Sequence, residues 1–180
     1  CLLSRGLGDV YKRQLQSGPL RETDGCHPAT AYGPAKHSLR LFLETLRQQQ
    51  PFTLQWARLF YLYGEGQSPN SLLAALDRAI DSGAERFDMS GGEQLRDFLP
   101  VETVAAHLAA LLQRRDFSGV VNLCSGQPVS VRKLVENHCA ARGSHIALNL
   151  GHYPYPTHEP MAFWGDARRL HDLLGAEHEA

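Results

Sequence analysis

Several things are scarce in this 180-residue chain, and each scarcity removes a class of function. There is no excess of one charge: 18 Lys and Arg face 19 Asp and Glu, and no basic stripe with interleaved aromatics appears, so a nucleic-acid partner is not expected. No apolar run is long enough to span a bilayer, and Cys1-Leu2-Leu3 is too short for a signal-peptide core, so no membrane partner is expected either. The four cysteines, at positions 1, 26, 124 and 139, have no paired spacing, which argues against a disulfide framework and for a reducing cytoplasm. The nine histidines never form a His-x-x-x-His or His-Glu-x-x-His pair, His152 and His158 fall in a proline-broken loop, and no metal is expected. Repeats, low-complexity tracts and a glycine-rich turn between a strand and a helix are also missing; the early glycines are Gly6, Gly8, Gly18 and Gly25.

What is present describes an ordinary globular domain, with 43% hydrophobic and 21% charged residues, long enough to bury one core. Helix and strand signals alternate. Leu39, Leu43 and Leu46 recur at helical spacing behind Tyr32 and predict a helix with one buried face, ended by Gln48-Gln49-Gln50-Pro51. Residues 53–60 predict a strand, and a second helix is expected from about Ser71 to Asp81. A short strand follows at 85–89, then Leu95 to Val101 lead into an Ala/Leu-rich helix ending near Arg114, with Phe98 expected in the core. Residues 120–124 form a buried-strand candidate, Ser130 is the expected N-cap of a helix stopping at Gly143, residues 145–150 suggest one more strand, and a final helix is expected from Asp166. The alternation points to an α/β architecture.

The most informative stretch is Tyr32-Gly33-Pro34-Ala35-Lys36. Residues four apart on a helix share a face. A phenol in water, with a pKa of about 10, exchanges protons poorly at neutral pH, and a cation within about 4–6 Å favours its ionised form. The pair is a candidate acid/base unit. Three further segments accompany it: Arg58-Leu59-Phe60-Tyr61-Leu62-Tyr63-Gly64; Gly92 through Arg96-Asp97-Phe98; and Val121-Asn122-Leu123-Cys124-Ser125-Gly126 with Val129-Ser130-Val131 behind it. The closing Asp166-Ala167-Arg168-Arg169-Leu170 with Leu173-Leu174-Gly175 adds a fifth.

In this order and spacing the segments resemble the extended short-chain dehydrogenase/reductases, the NAD-dependent epimerase/dehydratase family acting on nucleotide sugars, over residues from about 17 to 175. The resemblance implies a partial Rossmann-like doubly wound sheet, its C-terminal part, with a small C-terminal substrate-binding lobe. Residues 1–14 match nothing in the family, end in a run resembling translated sequencing adapter, and are set aside as non-native; residues 15–180 are read as the C-terminal part of an NAD(P)-binding domain. The strand at 53–60 is then expected inside a parallel sheet, beside a strand preceding residue 15. The family's glycine-rich turn and its catalytic Ser or Thr are not identifiable, Ser17 being too close to Tyr32 and Ser4 lying in the segment set aside, so the 180-residue chain is expected to be inactive alone.

By the same resemblance, Tyr32 is the proton donor or acceptor at the sugar oxygen, and Lys36 assists it and bonds the nicotinamide ribose. Leu59 and Phe60 line the cofactor site, and Tyr61 and Arg96 face the substrate, Arg96 holding the diphosphate with Asp97 as its structural partner. Many family members carry asparagine where Tyr61 stands. Trp164 and Tyr153-Pro154-Tyr155-Pro156 suit either ring stacking or core packing. The cofactor implied is NAD or NADP, the partner a nucleoside-diphosphate sugar, and the parent protein a homodimer. The alternative is a non-catalytic sugar-nucleotide or dinucleotide-binding member of the same fold.

Overall fold

A computed structural model describes residues 2–5, 18–25, 32–155 and 160–175. Its centre is a three-stranded parallel sheet in the order β1 (Leu2–Arg5), β3 (Gln55–Leu59), β8 (Gly119–Leu123), with Trp56 opposite Leu2 on one side and Val120 on the other. Both faces of β3 are covered, as the interior of a parallel sheet requires, which is why Trp56, Ala57 and Leu59 are all buried. Even Gln55 is buried, because its amide donates to the carbonyls of Leu111 and Arg114, both at 2.8 Å, and so caps the end of helix α3 (Val101–Gln113). The sequence reading set residues 1–14 outside the fold. In the structure Leu2–Arg5 hold the place beside β3, since strand pairing asks only for backbone groups and tolerates an unfamiliar sequence.

One core forms where α3 and α5 (Arg168–Leu174) lie against this sheet, joining Ala57, Leu59, Val121 and Leu123 to Val104, Leu111 and Leu170. A smaller lobe packs α2 (Leu72–Asp81) and α4 (Val131–Ala141) against the parallel pair β5 (Arg86–Asp88) and β10 (Ala147–Asn149), around Leu73, Leu76, Met89, Val135 and Cys139. Ser130 caps α4 as expected, its Oγ accepting from the Lys133 amide at 3.1 Å. Three short ladders tie the lobes together: β4 (Tyr61–Tyr63) parallel to β7 (Phe98–Pro100), β6 (Leu95–Arg96) antiparallel to β9 (Val129–Ser130), and β11 (Phe163–Gly165) parallel to β2 (Gly18–Leu20).

Two element expectations need correction. Helix α1 (Tyr32–Gln49) forms, but Gly33 is its only fully buried residue; Leu39 is exposed, Leu43 and Leu46 are part-buried, and Leu41 and Phe42 also face outward. Periodicity records an apolar stripe and does not say what covers it. The last helix starts at Arg168 rather than Asp166, because Asp166 Oδ1 accepts from the Arg168 amide at 3.1 Å and acts as a cap outside the helix. The Tyr153 end of the tyrosine-proline stretch lies within the described residues and Pro156 outside them.

Candidate functional site

Parallel strands deliver their loops to one edge of a sheet, and ligands of open α/β folds bind outside the carboxyl ends of those strands. At the carboxyl end of β3 the chain passes through Phe60 into β4, and at that of β8 it turns through Ser125-Gly126. Between β4, β7 and the start of α2 lies a cleft of about 390 Å³. Phe60, Tyr61, Tyr63 and Phe98 supply its aromatic wall, and Gln67, Ser68, Asn70 and Ser71 its polar rim. Phe98, expected in the core, is half-buried and belongs to this wall.

Arg96 is 2% exposed, which excludes a solvated surface pair. Its guanidinium carbon lies 4.5 Å from the centre of the Phe163 ring and 5.9 Å from that of Tyr61, within cation–π range. Nε donates to the Tyr61 hydroxyl at 3.3 Å, and Nη1 to the carbonyls of Leu95 at 2.9 Å and Met161 at 3.4 Å. The Tyr61 ring is itself gripped, 5.3 Å from Phe98 and 6.1 Å from Phe163 between centroids. Arg96 does not line the cleft; Tyr61 does.

Asp97 is not the partner of Arg96. Its fully buried carboxylate turns the other way and collects four donors: the Ser125 amide at 2.7 Å and hydroxyl at 2.8 Å on Oδ1, and the amides of Gly126 at 2.9 Å and Gly165 at 3.3 Å on Oδ2. Neighbouring side chains on an extended segment point to opposite faces, so adjacency in sequence works against their pairing. Asp97 thereby fixes the β8 turn to β11, and β11 carries the Phe163 that stacks on Arg96.

Tyr32 opens α1 and is 52% exposed; the Lys36 ammonium lies 5.7 Å from the centre of its ring. The two share a helix face as their spacing requires. Leu59 and Phe60, in contrast, are 7% exposed and belong to two different cores, Leu59 with Ala57 and Val121, Phe60 with Leu20, Cys124 and Phe163. Sequence reasoning singled out Trp164 and passed over Phe163. The alternation of β11, with Phe163 and Gly165 inward and Trp164 half-buried, is the signal that separates them.

A second cavity, of about 450 Å³, lies between α3, α5 and the β8 turn, lined by Thr103, His107, Ser125 and His171. None of the expected site residues lines it, and burial pushes the pKa of its Cys124 thiol up, so that sulfur is no nucleophile. Among the described residues no group of three His, Cys, Asp or Glu side chains could hold a metal ion, and no helix is long and apolar enough to cross a membrane.

An α/β fold built on a parallel sheet, with an aromatic cleft at its carboxyl edge and a Tyr-x-x-x-Lys helix, defines a Rossmann-like class of architecture. The sequence pattern of the NAD dependent epimerase/dehydratase family matches residues 8–124, and the chain belongs to that family. It is 30% identical over 159 residues to dTDP-6-deoxy-L-talose 4-dehydrogenase (NAD(+)) of Aggregatibacter actinomycetemcomitans, covering 88% of this chain and 58% of that protein. A UDP-N-acetylglucosamine 4-epimerase from Methanobrevibacter ruminantium M1, solved with UDP-N-acetylmuramic acid, superposes with a TM-score of 0.82 at 22% identity, over 95% of this chain and 55% of that one. MoeE5, solved with UDP-glucose and NAD, matches with a TM-score of 0.77 at 28% identity, over 96% of this chain and 57% of that one. The chain therefore spans somewhat more than half the length of the relatives it matches.

Proposed function

We propose that this chain is the substrate-binding portion of an NAD(P)-dependent epimerase, dehydratase or ketoreductase that works on the hexose of a nucleoside-diphosphate sugar. The observation that carries the reading is the Tyr32–Lys36 pair, an exposed phenol with an ammonium 5.7 Å from its ring, on the opening turn of α1. Membership of the epimerase/dehydratase family supports it, as do relatives whose names specify dTDP- and UDP-sugars.

The residues present fit the nicotinamide-ribose end of a dinucleotide. Tyr32 is exposed and Lys36 partly so on the same helix face, so one ligand can reach both. Leu59 and Phe60 are buried, and their contribution is a packed apolar floor rather than a hydrogen bond. When bound, the dinucleotide accepts or returns hydride at a sugar carbon, usually C4. Tyr32 takes the hydroxyl proton from the oxygen on that carbon, or gives it back in the reductive direction. Lys36 holds positive charge beside the phenol and bonds the ribose. Tyr61, which lines the cleft, and Arg96, buried behind it, act on the diphosphate side, and the polar rim of the cleft can take the rest of the nucleotide. The homodimer has a candidate face in α1, where Leu39, Leu41 and Phe42 are 39%, 46% and 63% exposed.

The test is Tyr32→Phe in the whole protein. Steady-state turnover should fall by about 10²–10⁴-fold, the usual worth of a positioned proton donor, while calorimetric affinity for the nucleotide sugar stays within twofold. Turnover near the wild-type rate in the variant ends the mechanism.

A further inference from the structure

Resting on that reading, we propose that Tyr61 is a positioning residue for Arg96: it couples the buried guanidinium to the cleft wall and fixes how its charge faces a bound diphosphate. Tyr61 belongs to both places at once. Its ring lines the cleft, and its hydroxyl accepts from Arg96 Nε at 3.3 Å. Arg96 lies behind that wall, 2% exposed.

A guanidinium is planar, and its direction is set by rotation about the bonds leading to Nε. Among the described residues, three acceptors restrict that rotation: the phenol oxygen on Nε, and the carbonyls of Leu95 and Met161 on Nη1. The carbonyls belong to the backbone of any sequence at these positions, whereas the acceptor on Nε depends on residue 61. Phe163 at 4.5 Å packs against the cation, and Tyr61 anchors its Nε. The phenol can serve as an anchor because it is itself immobilised between Phe98 at 5.3 Å and Phe163 at 6.1 Å. A short amide at position 61 could not keep both ring contacts, so the departure from asparagine changes the job of the position. Tyr61 acts through Arg96, and the charge reaches the cleft across the aromatic wall, where low polarity preserves its field.

Tyr61→Phe separates this role from packing, since it keeps the ring and removes only the oxygen. The whole protein is titrated by calorimetry with UDP, GDP and dTDP and with the corresponding free nucleosides. Loss of a hydrogen bond to a charged group predicts about a tenfold weaker diphosphate complex in the variant, with nucleoside affinity changed less than twofold. A purely structural tyrosine would weaken both alike, and that result overturns the proposal, as does an unchanged diphosphate affinity. A second measurement needs no ligand: hydrogen exchange at the Arg96 Nε–H, followed by ¹⁵N-edited NMR, should accelerate in the variant, and an unchanged rate also overturns the coupling. A wild-type whole protein that binds none of the three diphosphates refutes the nucleotide-sugar reading and takes the proposal with it. Binding without the diphosphate-specific loss refutes the proposal alone.

Discussion

Replacing Asp97 with asparagine is isosteric and should still be among the most damaging single changes in this chain. The carboxylate is fully buried and faces donors only: Ser125 N and Oγ on Oδ1, Gly126 N and Gly165 N on Oδ2. An asparagine amide must place an NH₂ where one oxygen stood. With the NH₂ in the Oδ2 position, two backbone N–H groups confront another donor and lose their acceptor in a dry site. Hydrogen bonds to a charged group contribute about 1.5–3 kcal/mol each, and the 3.3 Å bond from Gly165 belongs at the weak end, so the loss is about 3–4 kcal/mol. For a domain of this size each kcal/mol moves the midpoint by about 2–4 °C, which predicts a fall of roughly 6–16 °C in thermal unfolding followed by circular dichroism. Ser125→Ala, which removes the hydroxyl and leaves the carboxylate its three amide donors, should cost only about 1 kcal/mol. The double variant should be less destabilised than the sum, because both changes remove bonds from one network. A loss below 1 kcal/mol for Asp97→Asn would refute the assignment of Asp97 as the tie between the β8 turn and β11.

Two further outcomes follow from surface groups. The Arg168 guanidinium, with the Arg168 amide and Arg21 adding to it, lowers the Asp166 pKa to about 2. A depressed carboxylate stabilises above its unfolded value and loses that contribution as pH falls, so Asp166→Asn should cost about 1 kcal/mol at pH 6 once screening by water around exposed Arg168 is allowed for, and the deficit should shrink between about pH 4 and pH 2 in urea titrations. Phe42, 63% exposed on α1, should accept lysine with monomer stability unchanged within about 0.5 kcal/mol, while light scattering coupled to gel filtration shows a shift from dimer to monomer in the whole protein.

The parts of the fold legible in the sequence are those where burial alone dictates the pattern. Strands β3 and β8 lie in the covered sheet and are marked by their apolar residues despite Gln55, Arg58 and Asn122, and the strand expected at 53–60 appears at Gln55–Leu59. Ser130 announced its helix because a cap acts through its own side chain. What stayed illegible depends on partners distant in sequence. Nothing near Asp97 names Ser125 or Gly165 as its donors, and nothing near Gln55 names the carbonyls that end α3. For Arg96 the residue was legible and its setting was not: the motif marked the cation, while its burial behind Tyr61 and against Phe163 emerges only when β4, β6 and β11 come together.

That setting bears on function through its energetics. Moving a guanidinium out of water costs several kcal/mol even after relaxation, and apolar replacements of similar volume are often neutral or stabilising. Two aromatic faces and fixed carbonyls offset part of this, at about 0.5–2 kcal/mol for each cation–π contact. On stability alone, a methionine at position 96 would serve the same core. The cation adds something else, a positive field directed through a thin aromatic wall into a cleft rimmed by Gln67, Ser68, Asn70 and Ser71. Such a field acts on an anion that enters the cleft. On the reading proposed above, that anion is the diphosphate of a nucleotide sugar, whose remaining groups the aromatic wall and polar rim can take.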